Sequence, residues 1–293
     1  PFEPQQGTDP MSIRTILVNL NNEARVAELI AAAAVIARPA EAHVVGLFVM
    51  PPLFVPSDII MPMGSDFYEE QVREHRSQAE RVKTVFDRLS SGESYVAEWR
   101  IHGDARTAYA SIAEGIIEQA RSAELVIVSQ AVDGTDSPML TDIPERVVLE
   151  GGRPVLVIPS IWLAKEYGHN VAVAWNDSRE ATRATFDALP LLERAKKIRL
   201  ITVGEEIDSD GNRLIPPADV AATLARHGLN VDVELVPKTG RHYGDAILAR
   251  VAADGSDLLV MGAYGHSRMR EFILGGATRE VLKHMTVPVL MSH

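Results

Sequence analysis

The 293-residue sequence contains no cysteine. That excludes disulfide bridges, thiolate catalysis and cysteine-based zinc sites. It also has no apolar run near the roughly 18 residues of a membrane-spanning helix. The Ala-rich stretch Leu29 to Ile36 has acidic neighbours and reads as a buried helix. Positive charge is in deficit, 29 Lys and Arg against 40 Asp and Glu, for a net charge of −11. Such a balance argues against a nucleic-acid surface, which needs clustered cations for phosphate contacts, and reads as solubilising surface charge. Several ligand fingerprints are missing too: there is no Gly-x-x-x-x-Gly-Lys-Ser/Thr loop, no Gly-x-Gly-x-x-Gly after the first strand of either half, and no Gly-x-Ser-x-Gly elbow. Residues 1–11 have no apolar period, basic segment or signal-like core; they are expected to form a tail outside the fold of a cytoplasmic protein.

What is present is an alternation of short β-branched runs with helical stretches. Strands are predicted at 15–20, 42–49, 95–101, 124–129 and 154–158, with helices over 24–37, 66–89, 107–121 and 141–150. A Pro- and Met-rich loop holding Met50, Met61 and Met63 separates the second strand from the second helix. The pattern then starts again: strands at 170–175, 198–203, 231–236, 258–261 and 288–291, and helices over 178–192, 217–227, 244–253 and 277–285. Ser122 to Ser129 answers Gly255 to Gly262, and Arg153 to Val157 answers Val287 to Met291. A repeat of this length means two copies of one domain. The expected organisation is a first domain over 12–160, a linker at 161–168 and a second domain over 169–293. Strands alternating with helices imply α/β architecture, each domain a doubly wound, five-stranded parallel sheet with helices on both faces.

The most informative stretch runs from Leu258 to Thr278. A buried strand ends in Met261-Gly262; Gly265 follows, then nine residues from His266 to Leu274, then Gly275-Gly276 at the start of a helix with Ala277 and Thr278. Glycines at a strand end admit a close backbone approach, and a helix start offers N–H groups to an anion. In an open α/β sheet, ligands lie beyond the carboxyl ends of the strands where the strand order reverses. If the fourth strand lies beside the first, the facing wall is Ala174 to Ser178. There Asn176 can hydrogen-bond a base or ribose, Ser178 can cap the next helix, and Asp177 lies between them. His266 and Arg268 in the spacer can approach phosphates. His242 and His266 make a weak metal pair, short of the three or four ligands zinc requires.

These residues resemble the universal stress protein family, whose ATP-binding members carry Gly-x-x-Gly, nine residues, then Gly-Ser/Thr. Here the pattern is Gly262, Gly265 and Gly275, with Gly276 in the Ser/Thr place, and the resemblance extends over both halves. It implies strand order 3-2-1-4-5 in each. It also implies adenine packing between the ends of strands one and two, at Ala174 and Val203, and ATP arriving with Mg²⁺ held mainly by phosphate and water. The family's first-strand acidic residue falls on Asn176, and on Asn21 in the first half. The first half puts Ser129 in place of Gly262 and Thr141-Asp142 in place of Gly275-Gly276. A carboxylate there opposes a phosphate, so one nucleotide site per chain is expected, in the second half.

No pair of general base and nucleophile stands out, and the expectation is an adenine-nucleotide-binding protein rather than an enzyme. Two other readings stay open. One is a nucleotide-free scaffold that pairs its two copies through their fifth strands and binds a protein or small ligand. The other is a slow nucleotide hydrolase. The two halves would form a pseudo-dimer within the chain, and a homodimer is a further expectation.

Overall fold

The computed structural model describes residues 12–53, 65–103, 111–132, 134, 137, 139–162, 166–204, 217–237, 242–264 and 276–293. The first half runs β1 (Thr15–Asn19), α1 (Val26–Ala40), β2 (His43–Val49), α2 (Ser65–Ser90), β3 (Val96–His102), α3 (Ile112–Ala120), β4 (Leu125–Ser129), α4 (Ile143–Glu150) and β5 (Val155–Ile158). The second runs β6 (Asn170–Ala174), α5 (Arg179–Asp187), α6 (Leu189–Leu192), β7 (Lys197–Val203), α7 (Pro217–Ala225), β8 (Val231–Val236), α8 (Tyr243–Asp254), β9 (Leu258–Gly262), α9 (Gly276–His284) and β10 (Val289–Ser292).

Each half has the order 3-2-1-4-5 in its own strands, all parallel. The two sheets join into one of ten strands, β3-β2-β1-β4-β5-β10-β9-β6-β7-β8. The junction is the antiparallel pairing of the two fifth strands, Val157 with Val289 and Val155 with Met291. Parallel strands covered on both sides read as continuous apolar runs. That is why β4, β5, β9 and β10 are almost wholly buried. Helices α1, α2, α5, α6 and α7 bury their apolar faces in the core on one side of the sheet. Helices α3, α4, α8 and α9 do so on the other. Among the described residues no helix is long and apolar enough to cross a membrane.

The repeat extends to single hydrogen bonds. Glu124, just before β4, accepts from the N–H groups of Arg14 and Thr15 at the start of β1. Asp257, just before β9, accepts from Gly168, His169 and Asn170 at the start of β6. In both halves a carboxylate thus satisfies the free amides of the first strand's amino end. The linker is held to the first half by Tyr167, which donates its hydroxyl to Ala32 O at 2.8 Å; just before it, Arg25 donates to the carbonyls of Pro159 and Ser160.

Two boundaries differ from expectation. The predicted helix 178–192 breaks at Ala188 into α5 and α6, because Pro190 has no N–H to continue the ladder. The described part of the predicted helix 107–121 starts at Ile112, capped by Ser111, whose Oγ accepts from Glu114 N. Residues 104–110 lie outside the described residues.

Candidate functional site

Strand β9 lies between β6 and β10, and Ala174 of β6 pairs with Met261 of β9. From β6 the chain winds outward to β7 and β8; from β9 it winds the other way, to β10. The carboxyl ends of β6 and β9 therefore flank the switch point of the second half, the usual ligand position in such a sheet.

The structure gathers three of the expected residues there. Ala174, Val203 and Met261 share the face covered by α8 and α9, together with Tyr264. The wall across from them is a capped turn. Asn176 Oδ1 accepts from Ser178 Oγ at 2.8 Å, and Ser178 Oγ accepts from Ala181 N at 3.1 Å, capping α5. Asp177 holds φ +59° at the centre of that turn, a left-handed conformation that Asp tolerates better than most residues. Asn176 is exposed. The Asn176 amide nitrogen is the part of this turn best placed for a ligand; the carbonyl oxygen already serves the cap.

The two glycines at the described ends of the motif turn out to differ. A Cβ on Gly262 would stand 2.4 Å from Ala181 N and 2.5 Å from Glu180 C. The first turn of α5 therefore requires a glycine at 262, a packing reason that the glycine pattern does not give. The first half carries Ser129 at the same register, and there a 3-10 turn, Glu23–Arg25, leads into α1, whereas α5 begins directly at Arg179 behind its Ser178 cap. Gly276, the first residue of α9, is exposed, and a Cβ placed on it would meet no described atom within 4 Å. Ala277 follows it, partly buried.

Thr278 lies in the first turn of α9. It is 3% exposed, and its hydroxyl accepts from Tyr264 N at 3.2 Å. That bond ties the turn after β9 to the first turn of α9. Tyr264 holds φ +64°, its ring meets His293 edge-on at 6.2 Å, and burial raises its phenol well above the usual range. His293 in turn contacts Ala263 O at 3.0 Å. None of these three was singled out in the sequence; an aromatic residue inside a Gly-x-x-Gly turn was the available signal. Gly265, His266, Arg268 and Gly275 lie outside the described residues. His242 is an exposed residue preceding α8.

In the first half, the counterpart of Asn176 is engaged by the chain itself. Asn21 is 4% exposed; its amide donates to Val49 O at 2.6 Å, and its Oδ1 accepts from Val49 N and from Asn19. Asn21 thereby mimics one more strand residue beside β2. Asp142 precedes α4 and lies 3.7 Å from Arg146. A cleft of about 660 Å³ opens between the start of α4 and the end of α9, with Asp142 and Glu145 on one wall and Arg279 and Lys283 on the other. Gln130 closes its floor: its amide donates to Leu282 O at 2.7 Å, and its oxygen accepts from Ser160 N at 2.8 Å.

Residues 168–293 match the model of the Universal stress protein family. Universal stress protein Slr1230 of Synechocystis sp. (strain ATCC 27184 / PCC 6803 / Kazusa) is 32% identical over 147 residues, 50% of this chain and 49% of that protein. The chain thus spans about half the length of that curated relative. Among solved structures, the universal stress protein from Archaeoglobus fulgidus DSM 4304 aligns with a TM-score of 0.67 at 20% identity, covering 94% of this chain and 97% of that one. A putative universal stress protein from Pseudomonas aeruginosa UCBPP-PA14 aligns at 0.55 and 16% identity, over 96% and 94% of the two chains. At these identities both likenesses are of fold.

Proposed function

We propose that the second half, whose residues 168–293 match the Universal stress protein family model, binds ATP or a related adenine nucleotide as a regulatory or structural ligand of a cytoplasmic stress response. The observation that carries the reading is the junction at the switch point. The carboxyl ends of β6 and β9 lie side by side, and α9 starts at an exposed glycine on which an added Cβ would meet no described atom within 4 Å. An anion there meets backbone N–H groups and the positive end of the α9 dipole. Ala174, Val203 and Met261 offer the apolar surface for the base, the Asn176 amide can donate to the ribose, and Mg²⁺ would arrive on the phosphates. The proposal is of binding rather than turnover. The first half would serve as the packing partner in a pseudo-dimer, with Thr141-Asp142 where the phosphates would lie.

Titration calorimetry with ATP and Mg²⁺ tests this directly, expecting one site per chain. Gly276→Asp copies the first half. Two like charges about 4 Å apart repel by about 1–4 kcal/mol at effective dielectrics of 80 to 20. The variant should therefore bind at least fivefold more weakly while melting as the wild type does. No heat of binding at millimolar ATP refutes the nucleotide reading; unchanged affinity of the variant refutes the phosphate placement.

A further inference from the structure

The cleft of about 660 Å³ between the start of α4 and the end of α9 takes residues from both halves of the chain. Its volume lies in the range of small-molecule sites, and a junction between domains is a common place for one. The two walls carry opposite charge. Arg279 and Lys283 stand one helical turn apart on the same face of α9. Neither side chain makes an ion pair or a hydrogen bond among the described residues. The acid on the same helix, Glu280, is taken by His284 at 3.1 Å. Opposite them, Asp142 stands at the N-cap of α4 but makes no side-chain bond to the helix amides. Its side chain is 43% exposed and lies 3.7 Å from Arg146, beyond hydrogen-bond length. Arg146 bonds Glu150 instead, at 3.0 Å.

The walls are held apart, so these charges do not close on each other. Gln130 on the floor is 6% exposed and engaged at both ends of its amide. Its nitrogen donates to Leu282 O at 2.7 Å and to Lys283 O at 3.2 Å, and its oxygen accepts from Ser160 N at 2.8 Å. Those bonds fix the last turn of α9 against the end of β5, and the β5–β10 ladder locks the two sheets together behind them. No ion pair among the described residues joins α4 to α9. An anion alone would meet Asp142 as a like charge, and a cation alone would meet Arg279 and Lys283 in the same way. A molecule with one charge of each sign satisfies both walls, on a scaffold already set to receive it. The cationic wall has no copy on α4. Counted from Gly276 and Asp142, Arg279 answers Glu145 and Lys283 answers Leu149.

We propose that this cleft binds a small zwitterion of the amino-acid class, its carboxylate at Arg279 and Lys283 and its ammonium at Asp142. An arginine fork grips a carboxylate through two parallel bonds, and a lysine beside it adds a point charge. An ammonium has three donors and no acceptor, which suits a carboxylate that makes no bond to its own helix. One half supplies the cations and the other the acid, so the ligand is held only by the joined halves. The site lies apart from the switch point between β6 and β9, and the inference holds whether or not a nucleotide binds there.

The test uses the full chain and, as probes, glycine, γ-aminobutyrate and ε-aminocaproate, which space the two charges differently. Caproate and hexylamine each carry one of the two charges alone. Binding is read by saturation-transfer NMR titration at low salt, and melting temperature separately. At least one amino acid should bind more tightly than either single-charge probe, and should weaken as added salt screens both walls. Asp142→Asn and Lys283→Gln should each weaken that binding about 3- to 10-fold, the range for one lost hydrogen bond. Both side chains are solvent-accessible, so the variants should melt close to the wild-type temperature. No saturable signal from any of the three amino acids at millimolar concentration overturns the proposal. Caproate or hexylamine binding as tightly as the best amino acid overturns it too, since one wall would then suffice. Unchanged affinity in either variant, or weakening that only follows a lowered melting temperature, has the same consequence.

Discussion

Gly262→Ala tests whether the packing of α5 requires a glycine at the end of β9. The added methyl would stand 2.4 Å from Ala181 N and 2.9 Å from Ala181 Cα, both backbone atoms of the first turn of α5. Relaxed heavy-atom contacts lie near 3.5 Å, so α5 must retreat by about 1 Å at its start. Rotating a side chain gives no relief. The retreat also loosens the Ser178 cap, since Ser178 Oγ holds Ala181 N. Overpacking of this kind costs about 1–3 kcal/mol, and at roughly 2–4 °C per kcal/mol the melting temperature should fall by about 3–10 °C. Gly276→Ala is the matched control. No described atom lies within 4 Å of its added carbon, and alanine is the better helix former, so stability should stay level or rise. Urea denaturation and thermal melts of the ligand-free protein read both variants. Equal stability of wild type and Gly262→Ala, or equal losses in the two variants, refutes the assignment of Gly262 to helix packing.

The remaining expectations concern the join between the halves and the long helix α2. Gln130→Ala leaves Leu282 O, Lys283 O and Ser160 N without their side-chain partner; a loss of about 1–3 kcal/mol is expected, read as a lower urea midpoint with an unchanged slope. Burial holds the His75 imidazole below its usual range, and its Nδ1 has no partner among the described residues. The folded state then resists a proton that the unfolded chain accepts near pH 6.5. Stability from this residue is full above about pH 6.5 and is lost as the pH falls through the lower folded value. Thermal melts between pH 7 and pH 5 should show a shallower acid decline in His75→Gln than in wild type.

Most of the fold was legible as sequence because its cause is local. Buried parallel strands must be apolar on both faces, so Leu125–Ser129 and Leu258–Gly262 announce themselves, and the restart at Asn170 exposes the repeat. Caps were legible where a side chain bonds its own helix, as Ser178 does. The break at Ala188 was less so, because a proline in an apolar run signals both a helix start and a helix end. The site was legible only as a pattern of glycines. Spacing cannot tell which glycine has a helix packed against it, since that depends on where α5 starts relative to the end of β9.

The sequence by itself determined two α/β halves, their parallel sheets and the asymmetry between Gly275-Gly276 and Thr141-Asp142, because periodicity and residue type act through neighbours along the chain. The tertiary structure alone decided that the sheets fuse through β5 and β10, that Gly262 makes room for α5, that Thr278 bonds Tyr264, and that Arg279 and Lys283 line one cleft with Asp142. Each of those depends on a contact between residues far apart in sequence. The free energy of such a contact is set by what stands opposite, which no local pattern records.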